Sequence, residues 1–176
     1  MVLGIGTAAS GNNQWRLSVS STLDRAEATT RSTSSSTATL TTPTVGTNTW
    51  HIITGTFEAS DLSRDVYLDG SDTANNAGTR SISAPDVMSI GAKAGDATSP
   101  FSGRIAECGI WNIELTVAEV AQLSNFAPIM VRPDALLLYA PLVGKNDPET
   151  DFVGGASFTL VNTPSAAAHP PVFRPE

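Results

Sequence analysis

The segment TWHIITGTFEASDLSRDVYLDG, residues 49–70, carries the clearest strand and turn signals in the chain. In its first part, residues 49–57, apolar side chains occupy both of the alternating faces. This pattern predicts a strand in the centre of a sheet, covered on both sides. A second strand runs through residues 66–68. The Asp69-Gly70 pair after it predicts a tight turn, because such turns need positive φ.

Short apolar segments separated by turn residues continue on both sides of residues 49–70, and this pattern is typical of an all-β protein. The strand at residues 12–21 places Trp15, Leu17 and Val19 on one face. Further strands are predicted at residues 85–91, 104–111, 132–143 and 157–162, and loops at residues 73–79, 92–103 and 147–155.

A Ser/Thr-rich stretch at residues 28–49 allows two interpretations. We favour two polar, solvent-facing strands, because the β-branched Thr side chain suits a pleated sheet. Leu40 and Val45 would then point inward, with a turn near Pro43. A disordered low-complexity tract is the alternative.

One short helix is predicted between the strands. Thr116 and Glu119 have the spacing of a capping box, in which each side chain accepts a backbone N–H near the other. Val117, Val120 and Ala121 would share its apolar face, with Leu123 near the edge of that face, and Pro128 sets the limit of the helix. We expect this helix to close one end of the fold.

Composition and charge exclude two classes of partner. The net charge is −7, only 15% of residues are charged, and Lys93 and Lys145 are the only lysines. Nucleic-acid binding needs clustered Lys and Arg, so we expect none. The longest apolar run, residues 135–143, is too short to span a bilayer, and the first ten residues lack the features of a signal peptide, so we expect no membrane association.

The cysteine and histidine residues give little indication of a nucleophile or a metal site. Cys108 is the only cysteine and lies in an apolar run, which favours a small buried side chain over a nucleophile. His51 and His169 are far apart, so a zinc site with three or four convergent ligands is not expected.

The carboxy-terminal segment PSAAAHPPVFRPE, residues 164–176, is rich in proline and predicts an extended, polyproline-like tail. Such a tail needs a surface to hold it, and that surface belongs either to its own domain or to a neighbouring chain. The predicted organisation is therefore one domain at residues 1–163, followed by the tail.

Several segments together resemble the laminin G-like branch of the concanavalin A-like lectin/glucanase superfamily. They are the strand beginning at Trp50, the YLDG turn at residues 67–70, the SIG strand end at residues 89–91, and FSGRIAECGIWN at residues 101–112 followed by LTVAEV. The resemblance implies a two-sheet antiparallel jelly-roll sandwich, in agreement with the number of predicted strands.

The later segments VRPDALLLYAPLVG at residues 131–144, PETDFVGG at residues 148–155 and HPP at residues 169–171 are similar to extensions of such domains in structural proteins of tailed phages and prophages. Members of the family usually have one or two strands before the position of Trp15, where this chain has only MVLGIGTAASG. Either those strands are missing, or residues 131–163 complete the sheets. We favour the second, because a long unpaired edge promotes aggregation.

Glucanases of this superfamily resemble one another in three acids that alternate along one strand, two of which act on the glycosidic bond. The nearest match here, Glu149-Thr150-Asp151, lacks the third acid, because Val153 and Gly154 stand in its place. We interpret this segment as a solvated acidic turn and expect no catalytic residues and no enzyme activity.

A glycan site would need an aromatic face and short polar side chains. Trp50 and Trp111 are expected in buried strands, which leaves Trp15 as the ring with the best chance of exposure. The candidate glycan-binding residues are Asn12, Asn13, Trp15, Asp72, Asn75, Asn76 and Asp96. Calcium could be held by Asp69 with Asp72, or by Asp147 with Asp151, although ordinary turn chemistry explains these residues as well; no cofactor or metal is otherwise expected.

The resemblance and the tail favour a non-enzymatic protein of the virion surface, such as a capsid decoration or fibre-like component of a tailed bacteriophage. Its partners would be other virion proteins, and a homo-oligomer stays open. The candidate docking residues are Pro170, Pro171, Val172, Phe173 and Arg174. The alternative is a carbohydrate-binding adhesin that recognises glycans on the host surface.

Overall fold

A computed structural model of the chain describes residues 1–7, 13–32, 35–39, 43–77, 82, 84–95, 98–143, 146–161 and 165–170, with backbone only for residues 35–39 and Asp72. The chain divides into two compact units, Met1–Ser102 and Gly103–Glu176. The predicted single domain at residues 1–163 with a separate tail stays a prediction.

The described residues of the first unit form two antiparallel sheets. The five-stranded sheet has the order β4-β3-β2-β1-β8, and the three-stranded sheet has the order β5-β6-β7. The strands are β1 Leu3–Gly6, β2 Gln14–Val19, β3 Ala26–Arg31, β4 Ser35–Thr39, β5 Ile53–Phe57, β6 Ser63–Leu68, β7 Asp72–Ala77 and β8 Val87–Ile90.

The two sheets pack against each other through their apolar faces. The register places Leu3 and Ala28 on either side of Leu17, and all three side chains are buried. From the opposite sheet, β5 comes so close that a Cβ on Gly55 would lie 3.0 Å from the Trp15 ring. This is the two-layer antiparallel sandwich that the sequence predicts.

The Ser/Thr-rich stretch does form two strands, but its predicted solvent exposure is wrong for β3. Ala26, Ala28 and Thr30 in β3 are completely buried. They are buried because β3 lies inside the five-stranded sheet, between β2 and β4, and packs against the second sheet. Val45 is half-buried, and Leu40 lies outside the described residues.

The prediction of a loop at residues 73–79 is wrong for residues 73–77, because they belong to strand β7. Asp69 and Gly70 both have positive φ, as the tight turn requires, and the chain reverses so that Leu68 pairs with Asp72. The turn therefore creates a hairpin whose second strand the polar sequence TANNA did not suggest. The strand β5 begins at Ile53, later than predicted, and lies at the edge of the described three-stranded sheet instead of its centre.

The strand that seemed to be missing before Trp15 is present as β1. It lies between β2 and β8, with Leu3 opposite both Leu17 and Ile90. Its alternating glycines concealed it in the sequence. Position 4 favours glycine for a structural reason: a Cβ there would lie 2.9 Å from the backbone nitrogen of Ala94.

The second unit is built from shorter elements: β9 Cys108–Trp111, α1 Val117–Gln122, a 3-10 turn at Pro128–Met130, β10 Leu136–Ala140, β11 Glu149–Thr150 and β12 Ser157–Phe158. The strands form two antiparallel pairs, β9 with β10 and β11 with β12. Both β9 and β10 are shorter than predicted. Positive φ angles at Glu107 and Leu142 interrupt the extended backbone just outside them.

The capping box of α1 is confirmed. The Thr116 hydroxyl accepts the Glu119 N–H, and the Glu119 carboxylate accepts the Thr116 N–H. The predicted apolar face is wrong in part, because Val117 and Ala121 are exposed. Val120, predicted on this face, and Leu123, predicted near its edge, are the buried residues.

Candidate functional site

Two of the predicted glycan-binding residues, Asn75 and Asn76, lie on β7 and bind their own hairpin. Asn75 Nδ2 donates to Asp65 Oδ1. Asn76 Oδ1 accepts a 2.7 Å hydrogen bond from Arg64 Nη1. Of the remaining polar candidates, Asn13 is half-buried with positive φ, Asp72 is described by its backbone alone, and Asn12 and Asp96 lie outside the described residues.

Arg64 places a positive charge inside the first unit, a feature that the sequence analysis missed. Its side chain is fully buried and donates to Thr30 Oγ1 at 3.0 Å and to the Leu62 carbonyl at 2.6 Å. Burial lowers its pKa. The alternation of β6 contained the signal, because Arg64 shares the inward face with Val66 and Leu68. Asn76 is therefore a structural partner of a buried cation.

The expected burial of Trp50 is wrong, and so is the choice of Trp15 as the tryptophan with the best chance of exposure. Trp15 is half-buried with its ring against Gly55, and its indole N–H is buried without a hydrogen-bond partner among the described residues. Trp50, expected in a buried strand, precedes β5 and is 38% exposed. Trp111 is half-buried and donates to the Val131 carbonyl at 2.7 Å. Trp50 is thus the most exposed tryptophan and a better aromatic candidate than Trp15.

A hydrogen-bonded cluster connects the chain before β5 to the Asp69-Gly70 turn. His51 Nδ1 lies 2.9 Å from Asp69 Oδ2. His51 Nε2 accepts the Gly46 N–H, so the proton of the neutral ring resides on Nδ1 and is donated to Asp69. The other Asp69 oxygen accepts the Ile52 N–H at 2.9 Å. Both carboxylate oxygens of Asp69, which was predicted as a calcium ligand, therefore accept hydrogen bonds, one from His51 and one from Ile52.

The interpretation of Glu149-Thr150-Asp151 as a solvated acidic turn is wrong, because Glu149 and Asp151 are each only 3% exposed. Asp151 Oδ1 accepts the N–H groups of Tyr139 and Val153 at 2.9 Å. Its Oδ2 accepts those of Gly154 at 2.9 Å and Ala156 at 3.4 Å.

These bonds explain the charge state of Asp151 and its role. Burial opposes its ionisation, but the hydrogen bonds from the backbone outweigh this effect and lower its pKa. The carboxylate ties the loop after β11 to β10, because Tyr139 lies on β10 and also accepts the Phe152 N–H through its carbonyl. The arrangement is that of a structural carboxylate, since its oxygens point at backbone amides.

The beginning of the tail contacts its own unit through His169. His169 Nε2 lies 2.9 Å from Glu107 Oε1 and 3.2 Å from the Pro141 carbonyl. The other Glu107 oxygen accepts the Tyr139 hydroxyl at 2.7 Å. Pro170 is half-buried, whereas the other predicted docking residues, Pro171, Val172, Phe173 and Arg174, lie outside the described residues.

Other chemical features are sparse in the described part of the chain. Burial raises the pKa of the Cys108 thiol to about 12, which makes it a poor nucleophile. The described residues contain no group of three or more His, Cys, Asp or Glu side chains that could hold a metal ion. No helix among them is long and apolar enough to cross a membrane.

A laminin G family model, described as concanavalin A-like lectin/glucanases superfamily, matches residues 2–121. The chain belongs to this superfamily. The match runs from β1 into α1 and so includes both sheets of the sandwich. No curated protein and no solved structure matches the chain. A domain of this superfamily fits either a lectin-like or a structural role.

Proposed function

We propose that this protein is a non-enzymatic component of the virion surface of a tailed bacteriophage, a capsid decoration or fibre-like protein that docks on neighbouring virion proteins. The sandwich would be the displayed body. The docking segment would comprise Pro170, Pro171, Val172, Phe173 and Arg174. Support from the sequence is the similarity of residues 131–144, 148–155 and 169–171 to extensions of phage structural proteins.

The observation that carries the proposal is the position of His169. Its ring contacts Glu107 and the Pro141 carbonyl, so the chain is bound to the second unit just before the proposed docking residues, which supports a docking role for them. A proline-rich segment that starts at a fixed point loses little conformational entropy when it binds, which favours docking.

The carboxylates of the described residues support a role without catalysis. Asp151, the acid nearest to a glucanase motif, binds four backbone N–H groups. Asp69 binds His51 and a backbone amide. Acid–base catalysis on a glycoside needs two carboxyl groups directed at the same bond, whereas the oxygens of these two carboxylates are directed at partners within their own units.

Removal of the tail tests the proposal. We expect the chain without residues 171–176 to keep the far-UV circular dichroism of the full chain but to lose at least about ten-fold in occupancy on phage particles stripped of the protein, a loss of about 1.4 kcal/mol in binding free energy. Phe173→Ala should give part of this loss. The matched control is Val161→Ala, which removes an exposed apolar side chain outside the docking segment. Unchanged occupancy of the truncated chain would refute the proposal.

The adhesin is the second candidate, and exposed Trp50 is the observation that favours it. A glycan array probed with and without calcium distinguishes the two functions. Reproducible binding that is lost in Trp50→Ala and retained in Trp111→Phe would favour the adhesin. Asn75→Ala is a better test of the polar candidates than Asn76→Ala, because Asn76 also binds the buried Arg64.

A further inference from the structure

Three large apolar side chains are exposed in neighbouring segments of the second unit. Leu137 of β10 is 52% exposed, and Phe152 and Val153, in the loop between β11 and β12, are 66% and 42% exposed. The loop runs along β10: the Phe152 N–H donates to the Tyr139 carbonyl, and a Cβ on Gly154 would lie 2.6 Å from the Leu137 carbonyl oxygen. We call Leu137, Phe152 and Val153 the apolar patch. Exposed apolar surface concentrated in one place is typical of interaction sites.

The conformation of the loop is fixed by its own unit. The Asp151 carboxylate accepts the N–H groups of Val153 and Gly154 in the loop and that of Tyr139 in β10. The Tyr139 ring also contacts the Phe152 ring, with 6.2 Å between the ring centroids. A preformed loop loses little conformational entropy when it binds. Phe152 is therefore held in place while most of its surface stays available to a partner.

Tyr139 connects the apolar patch to the start of the proposed docking segment. Its ring contacts Phe152, and its hydroxyl donates to Glu107. The other Glu107 oxygen lies 2.9 Å from His169 Nε2, and Pro170, the first docking residue, follows directly. The patch and the start of the docking segment are thus joined by a short chain of side-chain contacts within one unit. One neighbouring protein can contact both.

The charge of the β11–β12 hairpin, residues 146–161, indicates the chemistry of that partner. The hairpin contains three carboxylates, Asp147, Glu149 and Asp151, and no Lys, Arg or His. Asp147 is exposed, and the whole chain has a net charge of −7. Basic side chains on a partner would attract this hairpin, whereas acidic ones would repel it. A complementary surface therefore combines an apolar pocket for Phe152 with a basic border.

We infer that the apolar patch is a second contact site for the neighbouring virion protein that receives the docking segment, and that Phe152 enters an apolar pocket bordered by basic side chains on that protein. The inference rests on the proposed function, because it adds a preformed surface to the same attachment. Phe152 is expected to contribute most, since aromatic side chains that become buried carry much of the binding energy of protein interfaces.

Rebinding of the full chain to phage particles stripped of the protein tests the inference. We expect Phe152→Ala to lower occupancy at least about ten-fold, and Val153→Ala about three-fold. The matched control is Val117→Ala, the same substitution at an exposed valine of α1, which should change occupancy less than about two-fold. Thermal unfolding should be nearly unchanged in all three variants, because the side chains are exposed. Unchanged occupancy of Phe152→Ala would overturn the inference.

Removal of one charge tests the basic border of the pocket. Asp147→Asn keeps the side-chain oxygen that accepts the Leu160 N–H and removes the negative charge. It should lower the rate of association with the stripped particles at least about two-fold at low salt. Glu114→Gln, which removes an exposed carboxylate outside the hairpin, should leave this rate nearly unchanged. Equal rates for Asp147→Asn and the unsubstituted chain would contradict the basic border.

Comparison with the chain that lacks residues 171–176 separates the inference from the proposed function. Loss of occupancy in the truncated chain alone would overturn the inference and support the docking segment. Loss in Phe152→Ala alone would support the patch and refute the docking segment, and retention by both variants would refute both. Sedimentation of the free chain tests a second copy as the occupant: a dimer that Phe152→Ala converts to monomers would overturn the inference.

Discussion

Each of the two units buries apolar side chains, but the units differ in strand length and in how the segments between the strands are bound. In Met1–Ser102, strands of four to six residues pair in ladders, and apolar side chains such as Leu68 are buried. In Gly103–Glu176 the described strands have two to five residues, and the carboxylates of Asp151, Glu119 and Glu107 bind the segments between them. Both units bury apolar side chains, and the comparison indicates that the second unit depends in addition on carboxylates that bind the segments between its short strands.

The largest expected effect is in the first unit. Leu68→Ala removes a side chain that is 1% exposed and should lower the free energy of unfolding by about 3 kcal/mol, from lost burial and the cavity left behind. Leu23→Ala, at an exposed position of the same unit, should change it by less than about 0.5 kcal/mol. Urea unfolding measures both. Equal effects of the two substitutions would contradict the first half of the comparison.

The corresponding change in the second unit is Asp151→Asn. The side-chain amide of asparagine would direct its own N–H at backbone N–H groups whose hydrogen bonds the carboxylate accepts. We therefore expect the free energy of unfolding to fall by about 2 kcal/mol at neutral pH. Because folding lowers the pKa of Asp151, its contribution is present at neutral pH and is lost as the pH falls through that lowered pKa. The difference between the two proteins in urea unfolding should therefore shrink on acidification.

Glu114→Gln is the control, because Glu114 is an exposed carboxylate of the same unit. It should leave stability nearly unchanged. If the effect of Asp151→Asn were the same at every pH, the carboxylate would not stabilise the unit through its charge.

A smaller effect is expected at the start of α1. Thr116→Ala removes the hydroxyl that accepts the Glu119 N–H and should cost about 1 kcal/mol in the free energy of unfolding. Thr116→Ser keeps the hydroxyl and should restore most of the loss. Thermal unfolding followed by circular dichroism checks both, and equal losses in the two variants would show that the cap is not the cause.

The smallest effect is expected at Asn75. Its amide binds Asp65 at an exposed site of the hairpin, so Asn75→Ala should change the free energy of unfolding by less than about 0.5 kcal/mol. Asn76→Ala should cost more, about 1.5 kcal/mol, since it deprives buried Arg64 of an acceptor. Chemical unfolding of both variants measures how the exposed position 75 and the half-buried position 76 of β7 differ in their contribution to stability. A larger loss in Asn75→Ala than in Asn76→Ala would contradict this difference.

Local signals in the sequence predicted local structure well. The Asp69-Gly70 turn and the Thr116–Glu119 capping box depend on residues within a few positions of each other, and the structure confirms both. The all-β class followed from the alternation of residues along the strands. The family resemblance supplied the sandwich, which the match to residues 2–121 supports.

Features that depend on distant residues were not predictable in this way. Asp151 lies in a segment with the composition of a solvated loop, but one of its donors is the N–H of Tyr139, twelve residues earlier. The half-buried position of Trp15 depends on the approach of β5 from the opposite sheet. The contact between Glu107 and His169 joins residues with no pattern in common. The docking residues 171–174 stay predictions.

A cryo-electron microscopy reconstruction of the phage particle carrying this protein tests the central claim most directly. The account predicts that density for residues 170–174 is enclosed by a different virion polypeptide. Density that follows these residues only along the body of their own chain, with no neighbouring protein in contact, would contradict it.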